Sequence, residues 1–205
     1  MVKGGVEARS SLWTPANVVT VLRIALVPIW LYFAEVSVAT TSDAFSISAL
    51  LVFFGYVFIS LTDKLDGYLA RSRGEVTTFG KFLDPIADKL AVVVAFCYLL
   101  EVGLSSAWVL FVIVAREFLV SGLRMVVANE GVVVAASNLG KWKTAVTMVA
   151  ICGLLLYRVL PPNALAHGVR VVFDVLVWVS VVLTAWSGID YFVKCWPYVA
   201  GESKR

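Results

Sequence analysis

Apolar stretches of about 20 residues, the length that crosses a bilayer as a helix, follow one another along almost the whole chain. With 205 residues, 60% of them hydrophobic and 15% charged, and a mean hydropathy of +0.90, a water-facing surface cannot be assembled from what remains. The class this dictates is all-α: a polytopic membrane protein with six transmembrane helices and both termini cytoplasmic. The spans fall at 18–38, 46–71, 79–101, 105–128, 139–160 and 169–196. Turn-forming clusters separate them: Thr40-Thr41-Ser42-Asp43, Ser72-Arg73-Gly74, Gly103, Asn129-Glu130-Gly131 and Pro161-Pro162-Asn163. Residues 1–205 then form one membrane domain, with 1–16 as a candidate interfacial segment. No cleavable signal peptide is expected, because 18–38 is long enough to stay as a first span.

The charges fix an orientation. With six spans, all of the 17 Lys and Arg except Arg158 and Arg170 lie at the face that carries the termini. Positive charge favours the cytoplasmic side, while Glu35, Asp43 and Glu101 mark the outer ends. The net charge of +3 is therefore a basic inner face suited to anionic lipid or phosphate, not a nucleic-acid surface. Cys97, Cys152 and Cys195 lie far apart in apolar segments and form no metal-ligand spacing; they read as buried or lipid-facing thiols. His167, the single histidine, reads as an outer loop residue, and the tryptophans as interfacial anchors or packing.

Against this background four acids stand out: Asp63, Asp66, Asp84 and Asp88. A carboxylate inside a bilayer is costly without a partner and usually marks function. Asp63 and Asp66 are three apart on the second span, and Asp84 and Asp88 are four apart on the third, so each pair shares a helical face. In an antiparallel hairpin, residues at equal depth have a nearly constant index sum, which pairs Asp66 with Asp84 and Asp63 with Asp88. Asp66 lies five residues before Arg71, about 7–8 Å inside the helix end at 1.5 Å per residue. The expectation is one acidic cluster just inside the cytoplasmic interface, on neighbouring helices. Oxygen-only ligands suit Mg²⁺, Mn²⁺ or Ca²⁺ and disfavour structural zinc. The bases around them (Lys64, Arg71, Arg73, Lys81 and Lys89) offer ion pairs instead, but a divalent ion with a phosphorylated ligand satisfies both sets. Gly67, Ala70 and Gly80 admit close approach, of a helix or of a ligand.

A second basic group comprises Arg116, Arg124, Lys141 and Lys143. They read either as a clamp for another anionic substrate or as interfacial anchors, and Glu117 as a residue that orients one of them or simply pairs with it. Asn17, Thr20 and Arg23 recur at every third position, a polar stripe that lines the same cavity or fixes the first span at the headgroups.

The run from Asp63 to Asp88 fits D-x2-D-G-x2-A-R-x8-G-x3-D-x3-D at every defined position, and in this it resembles the CDP-alcohol phosphatidyltransferase family. Asn17-x-x-Thr20-x-x-Arg23, Ala115-Arg116-Glu117, Ser121-x-x-Arg124 and Gly140-Lys141-x-Lys143 further resemble the branch whose acceptor is sn-glycerol 3-phosphate. The resemblance implies transfer of a phosphatidyl group from CDP-diacylglycerol to that alcohol in phospholipid biosynthesis, with release of CMP. It implies that Asp63, Asp66, Asp84 and Asp88 bind two ions of Mg²⁺ or Mn²⁺ and that Asp88 is also the general base. By the same token Thr20, Asp66, Gly67, Ala70, Arg71 and Gly80 contact the CDP-lipid, while Arg116, Arg124, Lys141 and Lys143 take the acceptor phosphate. A homodimer in a bacterial cell membrane, with the site facing the cytoplasm and membrane lipid around it, completes the expectation. Competing readings are a sibling that uses inositol phosphate or phosphatidylglycerol, an aspartate-rich prenyltransferase, and a divalent-cation transporter. Acids clustered at one depth, rather than spread along a path, argue against the transporter.

Overall fold

The computed structural model describes residues 14–40, 47–73, 77–129 and 138–200; within its helices some side chains, among them those of 63–73, Lys81 and Lys141, lie outside that description. Six helices succeed one another: α1 (Pro15–Thr40), α2 (Ile47–Arg73), α3 (Thr78–Glu101), α4 (Ala107–Asn129), α5 (Asn138–Tyr157) and α6 (Ala164–Val199). Among the described residues there is no strand.

Two helical segments, Asn17–Val38 and Ala164–Val199, are by themselves long and apolar enough to cross a membrane, and Ile47–Thr62 and Trp142–Tyr157 are shorter apolar helices. In Ala164–Val199 only 22% of the apolar window is buried. Trp178, Trp186, Ile189 and Val193 instead present their side chains outward. A core helix of a water-soluble protein would bury such residues, so this exterior belongs against hydrocarbon. The chain is a membrane protein.

Helix ends follow local chemistry. Thr77 caps α3, its hydroxyl accepting from the Gly80 N–H at 3.0 Å. At the other end of α3, Leu104 N–H donates to Leu99 O at 2.7 Å and Gly103 N–H to Leu100 O at 3.1 Å. Gly103 sits there at φ +70°, the left-handed position that closes this kind of cap. Asn163 caps α6, so the last helix begins at Ala164 rather than at 169. His167 is therefore an exposed residue of its first turns and not a loop residue. The three cysteines are free thiols, ranging from exposed Cys97 to buried Cys195.

The core is arranged around α1. Trp30 donates from Nε1 to Val52 O of α2 at 2.8 Å, and its ring lies 5.5 Å from Tyr56 of α2 and 5.7 Å from Tyr98 of α3. Over the described residues α2 packs on α1 and α5, and α3 on α1, α4 and α5. Over the same residues α1 lies against both α2 and α3; the side chains of 63–73, on which the expected α2–α3 pairing turns, lie outside the described ones. Ile113, Ile151, Leu154, Leu155 and Val177 continue the core towards α4, α5 and α6. On the far side α5 and α6 approach so closely that a Cβ at Gly153 would fall 2.0 Å from the Phe173 ring. We expect Gly153→Ala to cost about 1–3 kcal/mol by overpacking, seen as a lower thermal unfolding midpoint in detergent; an unchanged midpoint would show that Phe173 yields freely.

Candidate active site

The polar stripe of α1 meets the acids of α3 rung by rung. Asn17 Nδ2 donates to Thr77 Oγ1 at 2.8 Å, Thr20 Oγ1 to Asp84 Oδ1 at 3.0 Å, and Arg23 NH1 to Asp88 Oδ1 at 2.6 Å. Steps of three on α1 meet Thr77 at the N-cap of α3 and then Asp84 and Asp88, which lie four apart on one face of that helix. Chain direction is the same in both helices, since the partner index rises with the α1 index. All three α1 side chains are at least 98% buried. The stripe therefore holds the acids in place instead of merely anchoring α1 at the headgroups. Gly80 makes the approach feasible: a Cβ there would lie 2.6 Å from Asn17 Oδ1.

Asp84 and Asp88 open onto a cavity of about 280 Å³. Its second wall is α4, with Arg116, Glu117 and Arg124, and its third is α5, with Gly140 and Lys143. The space exists because α4 and α5 are not packed along one another over the described residues. Across it, Glu117 Oε1 accepts from Arg116 NH1 at 3.0 Å and also from Lys143 Nζ. Glu117 pairs with both bases, where the sequence suggested that it orients one of them or simply pairs with it. Lys89 on α3 donates to Ser121 on α4, which closes the α3–α4 edge. Three carboxylates and a set of cations thus share one space, the composition that receives a phosphorylated ligand together with a divalent ion.

Of the expected site residues, Asp84, Asp88, Arg116, Arg124 and Lys143 line this cavity, and Thr20 stands directly behind Asp84. Gly80 packs beneath Asn17. The side chains of Asp63, Asp66, Gly67, Ala70, Arg71 and Lys141 lie outside the described residues, and so does the pairing of Asp63 with Asp88 and of Asp66 with Asp84. Among the described residues no group of three or more His, Cys, Asp or Glu is gathered for a metal. Asp84 and Asp88 supply hard oxygen donors, one turn apart on one face and open to the cavity, a donor type that suits Mg²⁺ or Mn²⁺. The sequence reading missed Ser187 and Gly188 of α6. Ser187 Oγ accepts from Arg116 NH2 at 2.8 Å, and Gly188 lies against the Arg116 stem. Their one signal was a small polar pair inside an otherwise apolar span.

The family model for CDP-alcohol phosphatidyltransferases matches residues 13–186. This chain belongs to that family. Among curated proteins it is 40% identical over 185 residues, 88% of this chain and 94% of the relative, to the CDP-diacylglycerol–glycerol-3-phosphate 3-phosphatidyltransferase of Bacillus subtilis (strain 168). It is 36% identical over 185 residues, 89% of this chain and 97% of the relative, to the protein of the same name from Rickettsia typhi. A probable phosphatidylglycerophosphate synthase of Mycobacterium tuberculosis is 33% identical over 198 residues, 97% of this chain and 89% of the relative.

The rungs differ in weight. Thr20→Val keeps its shape and forfeits one hydrogen bond to a carboxylate, whereas Arg23→Met also leaves Asp88 without its charged partner. We expect a loss of about 1 kcal/mol for the first and about 2–3 kcal/mol for the second. Unfolding midpoints in detergent check the order, and a larger loss for Thr20→Val would refute the ladder as described.

Proposed function

We propose that this protein makes phosphatidylglycerophosphate and CMP from CDP-diacylglycerol and sn-glycerol 3-phosphate. The observation that carries this reading is the single cavity shared by Asp84 and Asp88 with Arg116, Arg124 and Lys143. A phosphorylated acceptor needs cations of its own beside the acids, and a serine or choline acceptor does not. The names of the relatives point to the same acceptor. In this proposal all six helices span the membrane, the termini and the cavity face the cytoplasm of a bacterium, and two copies form a homodimer.

Asp63, Asp66, Asp84 and Asp88 would hold the divalent ions. When bound, Mg²⁺ or Mn²⁺ would neutralise the diphosphate oxygens and stabilise the departing CMP phosphate. The chain does the rest. Thr20, Gly67, Ala70, Arg71 and Gly80 receive the CDP-lipid. Arg116, Arg124, Lys141 and Lys143 hold the acceptor phosphate and so bring its 1-hydroxyl to the phosphatidyl phosphorus. Asp88 takes the hydroxyl proton as the oxygen attacks, the new P–O bond forms, and the bond to the CMP phosphate breaks with its electron pair leaving on CMP. Arg23, fixed on Asp88 Oδ1 at 2.6 Å, keeps that carboxylate aimed at the cavity.

The deciding assay offers purified protein CDP-diacylglycerol with glycerol 3-phosphate, inositol phosphate, serine or phosphatidylglycerol. Turnover is expected with glycerol 3-phosphate; turnover with another acceptor alone would overturn the assignment, and metal flux in proteoliposomes without lipid turnover would favour a transporter. Chelation with EDTA should abolish the reaction and added Mg²⁺ or Mn²⁺ restore it. Asp88→Asn should lower kcat by about 10²–10⁴-fold, the usual worth of a general base, while CDP-lipid binding persists. Near-normal turnover in that variant would remove Asp88 from the role.

A further inference from the structure

Arg116 is gripped from behind. Its side chain retains 15% exposure, and it reaches the cavity with both terminal nitrogens already engaged by protein, NH1 by Glu117 and NH2 by Ser187 at 2.8 Å. Nε is buried with no hydrogen-bond partner among the described residues. Ser187 is 1% exposed and is not part of the cavity wall, so it meets Arg116 on the side away from any ligand. The neighbouring Gly188 admits the arginine stem: a Cβ there would stand 3.1 Å from Arg116 Cγ. These contacts lie where α4 and α6 pack together and run in the same direction, for Val120 and Leu123 of α4 share a cluster with Tyr191 and Cys195 of α6.

We propose that Ser187 and Gly188 form a positioning element on α6 that sets the plane of the Arg116 guanidinium for the acceptor phosphate. This rests on the assignment of Arg116 to that phosphate. A guanidinium recognises phosphate through two parallel N–H groups, which demands a fixed plane as well as a fixed charge. Each terminal nitrogen carries a second N–H beyond the one it gives to protein. Ser187 fixes one end of the fork and Glu117 the other, so that these remaining donors are held as a pair. Gly188 sets the depth at which the stem passes α6. Neither α6 residue touches the reacting atoms, and neither contributes charge.

The test uses full-length protein in detergent with CDP-diacylglycerol and sn-glycerol 3-phosphate. Ser187→Ala should raise KM for glycerol 3-phosphate about 3- to 10-fold, the scale of one hydrogen bond to a charged group, with kcat and the KM for CDP-diacylglycerol little changed. Gly188→Ala should act in the same direction by pushing the stem. In an Arg116→Ala background, which raises the acceptor KM on its own, Ser187→Ala should add nothing, because two residues that act through one contact are not additive. An unchanged acceptor KM in both α6 variants would overturn the proposal. So would an equal rise with or without Arg116, or a rise in both substrates' KM together, since either marks general loss of structure. If Arg116→Ala leaves the acceptor KM unchanged, the assignment of Arg116 falls and the positioning role with it. If Arg116→Ala raises it while Ser187→Ala and Gly188→Ala do not, only the positioning role falls.

Discussion

The ion pair between Arg23 and Asp88, with the two rungs below it, is the constraint on which the rest of this molecule depends. A guanidinium 99% buried between helices is costly unless a carboxylate meets it. Here that need fixes the rotation of α1 against α3 and their relative depth. Once this register is set, Trp30 falls between Tyr56 and Tyr98, and the α3 face that bears Asp84 and Asp88 turns to the gap between α4 and α5. The polar contacts add modest net stability. Their larger effect is to leave one arrangement of three helices in which every buried charge along this seam has a partner.

That arrangement separates two kinds of surface. Around the outside, and most plainly along α6, large apolar side chains face away from the protein, where hydrocarbon is the solvent that suits them. Along the inside of the same helix run Ser180, Thr184, Ser187 and Gly188, small enough for α4 and α5 to come close. Between lipid and such seams, a roomy polar space lies where α4 and α5 part. Its walls carry both signs of charge, the composition expected where a negative ligand arrives with a positive ion.

Much of this was legible in the order of residues. The spans were readable because apolar runs of bilayer length are interrupted by Gly, Pro and Asn, and the acids stood out because four carboxylates recur at helical spacing within two such runs. Spacing alone put Asp84 and Asp88 on one face, and it put Asn17, Thr20 and Arg23 on another. What spacing could not supply was the partner of the α1 stripe: nothing in Asn17, Thr20 and Arg23 says that they meet Thr77, Asp84 and Asp88. The start of α6 was missed for a local reason. Hydropathy favours Val169 over His167 and Asn163, yet Asn163 is the cap, and the helix begins at the cap. Ser187 and Gly188 were passed over because they carry no charge and read as a packing seam of small residues with Ser180 and Thr184, and their meaning arises only when Arg116 comes to rest upon them.

Glu117 gives the cavity a property that a ring of bare cations would lack. One of its oxygens accepts from Arg116 and Lys143 together, so a single negative charge ties two cations and leaves the trio net positive. An entering phosphate meets that surplus charge through the N–H groups that Glu117 and Ser187 leave open. The resident carboxylate lies in the same field and lessens the attraction without cancelling it. A site built in this way holds its anion less tightly than bare cations would, and it favours an anion with oxygens enough to reach both bases at once.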